Sequence, residues 1–210
     1  RKISSYAKLN QSCERIDNFS AVLKNIKNKN ADVVIATAIT KNKLKYANFS
    51  KSYISYPISI VTRNSESFIP NTSYLENKLV AVGKGYSAYE ILKNYYPKIN
   101  FALVTNTQEA LKLVANGKAY AAVDILPVLS HQIGKMGYSN LKISGTTEFD
   151  FDVRIMIRDD YKELVSIINK SIDLITPEER NNISKKWISV KYDQNIDYSL
   201  LINILIVILI

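Results

Sequence analysis

Short apolar runs alternate with amphipathic segments along most of the chain. Residues 19–26 place apolar side chains on one face of a helix, and Asn18 precedes them as a candidate cap. The continuous apolar run at 31–37 follows directly and predicts a strand that is buried in a parallel or mixed sheet. Helices and strands that alternate in this way are typical of an α/β fold.

The same helix-to-strand unit returns later in the chain. Asn106 and Glu109 form a start that resembles a capping box, Gly117 ends the predicted helix, and residues 119–126 form the strand that follows. Two matched units indicate two lobes of similar design.

The rest of the pattern adds elements of both kinds. A last helix begins at Thr176, where a threonine cap is followed by a proline and two glutamates that suit a helix N-terminus. The remaining predicted elements are strands at 56–64, 78–83, 101–105 and 151–158 and helices at 87–95 and 161–175.

The end of the chain is apolar. Residues 198–210 carry only Ser199 and Asn203 as polar side chains, and this run of 13 residues is shorter than the ~20 residues that cross a bilayer. Because the run follows an apparent domain end, it predicts the start of a truncated transmembrane helix. The first residues lack a secretory signal, so we expect the true N-terminus to be missing.

Composition narrows the classes of function. The chain is 47% hydrophobic and 22% charged, which is ordinary for a globular protein with a real core. The net charge of +9 is spread along the sequence. Because it forms no basic stripe, we expect no nucleic-acid partner.

Cysteine and histidine each occur once. Cys13 therefore makes no intrachain disulfide, and with His131 it leaves little material for a metal site or a Cys/His catalytic pair. We expect no metal and no cofactor, Cys13 as a small buried filler, and His131 as an ordinary helix or surface residue.

Five segments in a fixed order carry a resemblance to a known family. They are ADVVIATAIT at 31–40, YANFS at 46–50 with Tyr53, LVAVGKG at 79–85, GKAYAAVD at 117–124 and ISKKW at 183–187. In this order the chain, from about Asn18 to Tyr192, resembles the type II periplasmic solute-binding proteins. The resemblance is to the polar amino-acid binding family and to the related sensor domains of membrane kinases and cyclases.

The resemblance implies a two-lobed α/β fold of the Venus-flytrap type that is N-terminally truncated. The solute-binding domain would take residues 1–192, with lobe one at about 1–55 and 150–192 and lobe two at about 60–145. Hinge strands would cross between the lobes near 55–63 and 144–152.

Candidate ligand-binding residues lie where predicted strands end. The carboxyl ends of strands are where open α/β sheets present ligands. The segment that contains the two glycines before Ser87 joins a strand to a helix, whose N-terminus can bind an anionic group and which Ser87 can cap. A tight turn without a ligand would explain these glycines as well. The uncharged candidates are Thr37, Ala38, Ile39, Thr40, Gly85, Tyr86 and Ser87.

Two charged residues complete the candidate site. By the resemblance, Lys43 stands where amino-acid binders have an arginine that grips the α-carboxylate of the ligand. Lysine supplies the charge without the planar fork, which leaves other anions possible and a solvated lysine as the alternative. Asp124 ends a buried strand, where it should either cap the turn before Pro127 or pair with a ligand cation such as an amine.

The resemblance implies a sensor domain rather than an enzyme, with no catalytic residues. The domain would lie outside the cytoplasm, close on an amino acid or a small organic anion or amine, and be anchored in the bacterial inner membrane through 198–210. A dimer that carries its own signalling output domain is compatible with this prediction. The alternatives are the solute-binding component of an ABC-type uptake transporter, a dehydratase-like enzyme on the same fold, and a spacer or protein-interaction module without a solute.

Overall fold

The computed structural model describes residues 2–16 and 18–187, without the side chains of Lys2 and residues 184–187. Strands and helices alternate over most of this part of the chain. The strands are β1 (Val33–Thr37), β2 (Ala47–Phe49), β3 (Ile54–Arg63), β4 (Leu79–Gly83), β5 (Asn100–Val104), β6 (Ala121–Ile125) and β7 (Leu141–Arg158). The α-helices are α1 (Lys2–Tyr6), α2 (Phe19–Lys27), α3 (Ser87–Tyr95), α4 (Thr107–Ala115), α5 (Leu126–Met136), α6 (Lys162–Asp173) and α7 (Pro177–Trp187).

The strands follow one path in the order β1-β7-β3-β6-β4-β5, and β2 also pairs with β7. The pairings of β4 with β5 and β6 are parallel, whereas β7 pairs with β1, β2 and β3 in the antiparallel sense. The sheet is therefore mixed, as the α/β pattern of the sequence predicts.

Two long strands connect the two ends of this path. The first part of β7 pairs with β3 from Leu141 to Val153, and its last part pairs with β1 and β2. We call the elements around β1, β2 and the end of β7 lobe one, and the elements around β4, β5, β6 and the start of β7 lobe two. The residue boundaries given above for the two lobes stay a prediction.

Each lobe has its own apolar core. In lobe two, one cluster lies under α3 and a second lies under α4 and α5, on the opposite face of the strands. In lobe one, one cluster around Ile26 and Met156 lies under α2, and another around Ile157 and Ile168 lies under α6. Burial of these apolar faces drives the assembly of each lobe.

Helix starts follow the local signals of the sequence. Asn18 accepts a hydrogen bond from the Ser20 amide at 2.9 Å, and Asn106 accepts one from the Glu109 amide at 3.0 Å. Thr176 and Glu179 bond reciprocally, each side chain to the other's amide at 3.2 Å. These three of the predicted caps are confirmed, because each satisfies an amide that the helix itself leaves unpaired.

The prediction of a fully buried first strand is wrong. β1 lies at the end of the sheet path and pairs with β7 in the antiparallel sense, and Ile35 remains 64% exposed. The apolar run arises because β1 packs on one face only, against the cluster around Ile26. Apolar continuity does not distinguish such an edge strand from a buried parallel one.

The strand predicted at 151–158 is only the last part of β7. Its first part contains Gly145, a residue that normally weakens a strand. Here the backbone of Ile69 lies so close that a Cβ on residue 145 would come within 2.1 Å of the Ile69 oxygen. The glycine therefore allows a close backbone approach that the sequence pattern does not reveal.

Three further details complete the comparison. Pro127 lies in the first turn of α5, a helix that the sequence did not predict because proline was taken for a turn. Cys13 is exposed, so its prediction as a buried filler is wrong, whereas His131 is an exposed helix residue as expected.

Among the described residues no helix has the length and apolarity to span a membrane. The segment 198–210, predicted to begin a transmembrane helix, lies outside the described residues.

Candidate functional site

The carboxyl ends of β4, β5 and β6 meet at one edge of the sheet, because these strands run parallel. The segments that leave this edge carry Tyr86, Thr107 and Asp124. Parallel α/β sheets present ligands at this edge, so three separate stretches of sequence converge where chemistry is possible.

Asp124 is the buried acid of this edge, with 7% of its surface exposed. Its carboxylate accepts hydrogen bonds from the Thr107 hydroxyl at 2.5 Å and from the Ile125 amide at 2.8 Å. Burial raises the pKa of Asp124 to about 6, although both hydrogen bonds act in the opposite direction. Within residues 2–16 and 18–187 we find no cationic side chain in an ion pair with it.

Tyr86 lies near this carboxylate and near Thr107. Its ring packs on Gly83, where an added Cβ would come within 2.5 Å of the ring. Burial raises the pKa of the Tyr86 phenol, and the charge of Asp124 raises it further. Tyr86 therefore stays protonated and can donate or accept a hydrogen bond at the rim of the Asp124 site.

Lobe one contributes a buried base, Lys43, whose exposed fraction is 0%. Its ammonium donates to the Thr37 hydroxyl at 3.2 Å and to the Ser87 hydroxyl at 2.6 Å. Burial lowers the pKa of Lys43 to about 8, while the negative charge of Glu90 acts to raise it. The alternative of a solvated lysine is wrong.

The Phe19 ring joins the two charged groups into one site. It lies 5.7 Å from the Lys43 ammonium and meets the Tyr86 ring edge-on, with centroids 5.6 Å apart. A ring face toward a cation is an attractive arrangement. The aromatic pair therefore forms a wall that runs from Lys43 to Asp124.

Ser87 does not cap α3, contrary to the sequence prediction. The helix begins at Ser87, and the preceding Tyr86 takes the cap position without a side-chain bond. The Ser87 hydroxyl instead donates to the Ala38 carbonyl at 3.1 Å and accepts from the Ala38 amide at 3.3 Å. The Ser87 hydroxyl thus bonds to lobe one and does not cap the helix.

The structure brings most of the predicted site residues together. Thr37, Ala38, Lys43 and Ser87 are in mutual contact, and Tyr86 adjoins Asp124. The other three predicted residues are Gly85, Thr40 and Ile39. Gly85 adopts a positive φ of +82°, Thr40 accepts from the Lys43 amide at 3.3 Å, and Ile39 is 38% exposed. Their role in ligand binding stays a prediction.

Sequence reasoning missed Phe19, Thr107 and Glu90. Thr107 follows the Asn106 cap and so enters α4 at the same sheet edge as Asp124; the parallel order of β5 and β6 could have revealed it. Phe19 and Glu90 carry no such signal: the approach of Phe19 to Lys43 depends on how α2 packs within lobe one, and that of Glu90 depends on how the two lobes meet.

The described part of the chain contains no cluster of three or more His, Cys, Asp or Glu side chains with the spacing of a metal site. The site consists of one buried acid, one buried base, hydroxyls and aromatic rings. Groups of this kind hold a small polar or zwitterionic molecule through hydrogen bonds and charge.

The sequence of this chain matches the model of a known protein family. The sequence model of the bacterial extracellular solute-binding proteins, family 3, matches residues 1–190. The chain belongs to this family. The resemblance drawn from the five sequence segments is thereby confirmed.

One curated protein to which the chain is similar is the virulence sensor protein BvgS of Bordetella pertussis, strain Tohama I. It is 23% identical over 173 residues, which are 82% of this chain and 14% of BvgS. The chain therefore spans about a seventh of the length of that relative.

Solved structures show the same fold. The periplasmic VFT2 domain of B. pertussis BvgS has a TM-score of 0.78 at 22% identity, covering 89% of this chain and 80% of that one. A histidine kinase sensor domain with similarity to periplasmic binding proteins gives 0.80 at 18% identity, covering 90% and 83%. An ancestral arginine-binding protein bound to arginine gives 0.78 at 23% identity, covering 89% and 84%. The two-lobed Venus-flytrap fold is confirmed.

Proposed function

We propose that the chain is the extracytoplasmic sensor domain of a membrane-bound signalling protein, and that its cleft binds a small solute. The observation that carries this proposal is the buried Asp124 carboxylate, which faces an aromatic wall and has no cationic partner among the residues described. A buried charge without a partner is costly, and a ligand cation would offset that cost.

The chemistry of the two charged groups defines the solute class. A primary or secondary amine fits Asp124, and an anionic group fits the Lys43 ammonium beside the N-terminus of α3. We infer a small molecule that carries an amine, an anion or both, with an amino acid as the simplest example. The arginine-bound relative of the same fold is in keeping with this class.

The sensor interpretation rests on relatives. BvgS is a sensor protein, and one structural neighbour is the sensor domain of a histidine kinase. We propose that this chain likewise lies in the periplasm, that 198–210 begins a transmembrane helix, and that the domain does no chemistry of its own. Closure of the lobes around the solute would be the signal.

Ligand binding is tested by a thermal-shift screen of the purified chain against amino acids, small organic acids and polyamines. A solute at 100 times its dissociation constant stabilises the folded state by about 2.7 kcal/mol. For each hit, Asp124→Asn should remove the stabilisation. Asp159→Asn is the matched control, because Asp159 is an exposed carboxylate paired with Lys29 at 3.7 Å. Hits that survive Asp124→Asn would reject this site.

Cell fractionation separates a sensor from an uptake component. The native protein of a sensor remains in the inner-membrane fraction after osmotic shock, whereas the soluble component of a transporter appears in the shock fluid. Recovery in the shock fluid would overturn the sensor proposal and favour the transporter.

A further inference from the structure

Ser87 belongs to lobe two by its position at the start of α3, yet the partners of its hydroxyl lie in lobe one. It accepts from Lys43 at 2.6 Å and from the Ala38 amide, and it donates to the Ala38 carbonyl. The Thr37 hydroxyl lies 3.4 Å from it as well, so one side chain meets four groups from across the cleft.

Other contacts between α2 and the loop before α3 support the same closed arrangement. The Ser20 hydroxyl donates to the Lys84 carbonyl at 3.1 Å, and the Phe19 ring meets the Tyr86 ring. A methyl group of Leu23 lies so near Gly85 that a Cβ there would be 3.0 Å away. The two lobes therefore also touch through polar and apolar contacts at the three residues that precede Ser87.

We propose that Lys43 and Ser87 form a built-in bridge that stabilises lobe closure through the protein's own side chains. This inference deepens the proposed function, because it assigns a regulatory role to residues of the same cleft. A charge-assisted hydrogen bond between buried groups is stronger than a neutral one and is not replaced by water while the lobes stay closed. Opening the cleft separates the ammonium from its hydroxyl acceptor across the lobes.

The bridge has a consequence for the solute. An anionic group that approaches the Lys43 ammonium competes with the Ser87 hydroxyl for the same donor. Solute binding and the inter-lobe bridge are therefore coupled, and a ligand shifts closure only by the difference between its own cross-lobe contacts and those it displaces.

The test measures the distance between the lobes without any added solute. Cys13→Ser removes the exposed native thiol, and spin labels are placed at Glu163→Cys on α6 and Lys112→Cys on α4, both exposed positions. Pulsed electron paramagnetic resonance on the whole chain then reports the distribution of distances. We expect one dominant short distance with Lys43 and Ser87 intact.

Ser87→Ala and Lys43→Met remove the two ends of the bridge. Lys43→Met should raise the ratio of open to closed molecules about tenfold, as expected for the loss of one buried charge-assisted hydrogen bond between the lobes. Ser87→Ala should raise it at least as much, because it also removes the two bonds to Ala38. Ser171→Ala is the matched control, because its buried hydroxyl bonds to the Ile167 carbonyl within α6. The control should leave the distribution unchanged.

Amide hydrogen exchange detects openings too rare for the distance measurement. In Lys43→Met, the amides of Ala38 and of the first turn of α3 should exchange about tenfold faster, whereas amides in α4 should keep their rates. Unchanged distances together with unchanged exchange in Lys43→Met and Ser87→Ala would overturn the bridge. If one variant fails to fold, the other decides.

The outcome is independent of ligand discovery. An open population that grows in both variants supports the bridge even if the screen yields no solute, a result that would count against the proposed function alone. A confirmed solute with unaltered lobe distances and unaltered amide exchange in the variants would overturn the bridge and leave the proposed function standing.

Discussion

The two walls of the cleft each bury one ionisable group, and they partner it differently. Asp124 takes both hydrogen bonds from its own lobe, from Thr107 and Ile125, so its site persists whatever the lobes do. Lys43 shares its protons between Thr37 of its own lobe and Ser87 of the other. The arrangement of the acid wall, around Asp124, is therefore independent of closure, whereas that of the base wall, around Lys43, depends on it.

The largest effect is expected on the acid wall. Asp124→Asn should stabilise the protein by about 3 kcal/mol at neutral pH, because burial raises the folded-state pKa from 3.8 to about 6. With the folded pKa above the unfolded one, the contribution of this group is fully present below about pH 4 and is lost as pH rises through about 6. Urea unfolding of both proteins at about pH 4 and about pH 7 measures it. Equal differences at both values would contradict the assignment.

The stability contributed by Lys43, on the base wall, should depend on pH in the opposite sense. The folded-state pKa of Lys43 lies at about 8, below the unfolded value of 10.5. The stability contributed by this group is therefore present above about pH 10.5 and is lost as pH falls through about 8. Relative to Lys43→Met, the native protein should gain about 2 kcal/mol between about pH 7 and about pH 9.5. Lys51→Met, which alters a partly exposed lysine paired with Asp173, is the control and should show no such gain.

Substitutions at two glycines separate the effect of the apolar contact across the cleft from that of backbone strain. Gly85 and Gly137 both have positive φ, +82° and +66°, but only Gly85 lies against another element. Gly137→Ala should cost about 1 kcal/mol from backbone strain alone. Gly85→Ala should cost roughly 2 kcal/mol, since its methyl group also meets Leu23. Chemical unfolding of both variants gives the difference, and equal costs would mean that this contact contributes nothing.

The smallest effect concerns the charge that faces Lys43 from α3. Glu90 acts to raise the pKa of Lys43, so Glu90→Gln should lower it further. The free energy of unfolding of Glu90→Gln is compared with that of the double variant Glu90→Gln/Lys43→Met over a range of pH. The midpoint of the change in this difference reports the pKa of Lys43 in the absence of the Glu90 charge. A midpoint that stays in place or moves upward would show that Glu90 does not act on Lys43.

Much of the fold was predictable from local signals. Caps and amphipathic periodicity place α2, α3, α4 and α6 within a few residues, and the Thr176 cap places the start of α7. Periodicity missed the first part of β7, which only the family resemblance had placed, as a hinge strand near 144–152, and it missed all of α5. The reason is that Gly145 and Pro127 carry meanings that depend on their surroundings. Gly145 accommodates the Ile69 backbone, and Pro127 fits the first helical turn.

The candidate site was likewise predictable only in part. Asp124 and the segment that ends at Ser87 were predictable, because chain order alone places the ends of parallel strands at one edge. The hydrogen bond between Lys43 and Ser87 was not predictable, since it depends on how the two lobes meet. Periodicity likewise gave no warning that Ile35 would be exposed, because it does not report which side of a strand has a neighbour.

The long strand β7 also has a consequence for the order of assembly during synthesis. Lobe two completes β4, β5 and β6 from neighbouring stretches of chain, but β1 must pair with residues of β7 more than a hundred positions later. Loop closure over such a separation is slow, and the ribosome delivers the partner late. Until Arg158 has emerged from the ribosome, β1 lacks the strand with which it pairs. A nascent chain that pauses before that point is therefore the species that most needs a chaperone.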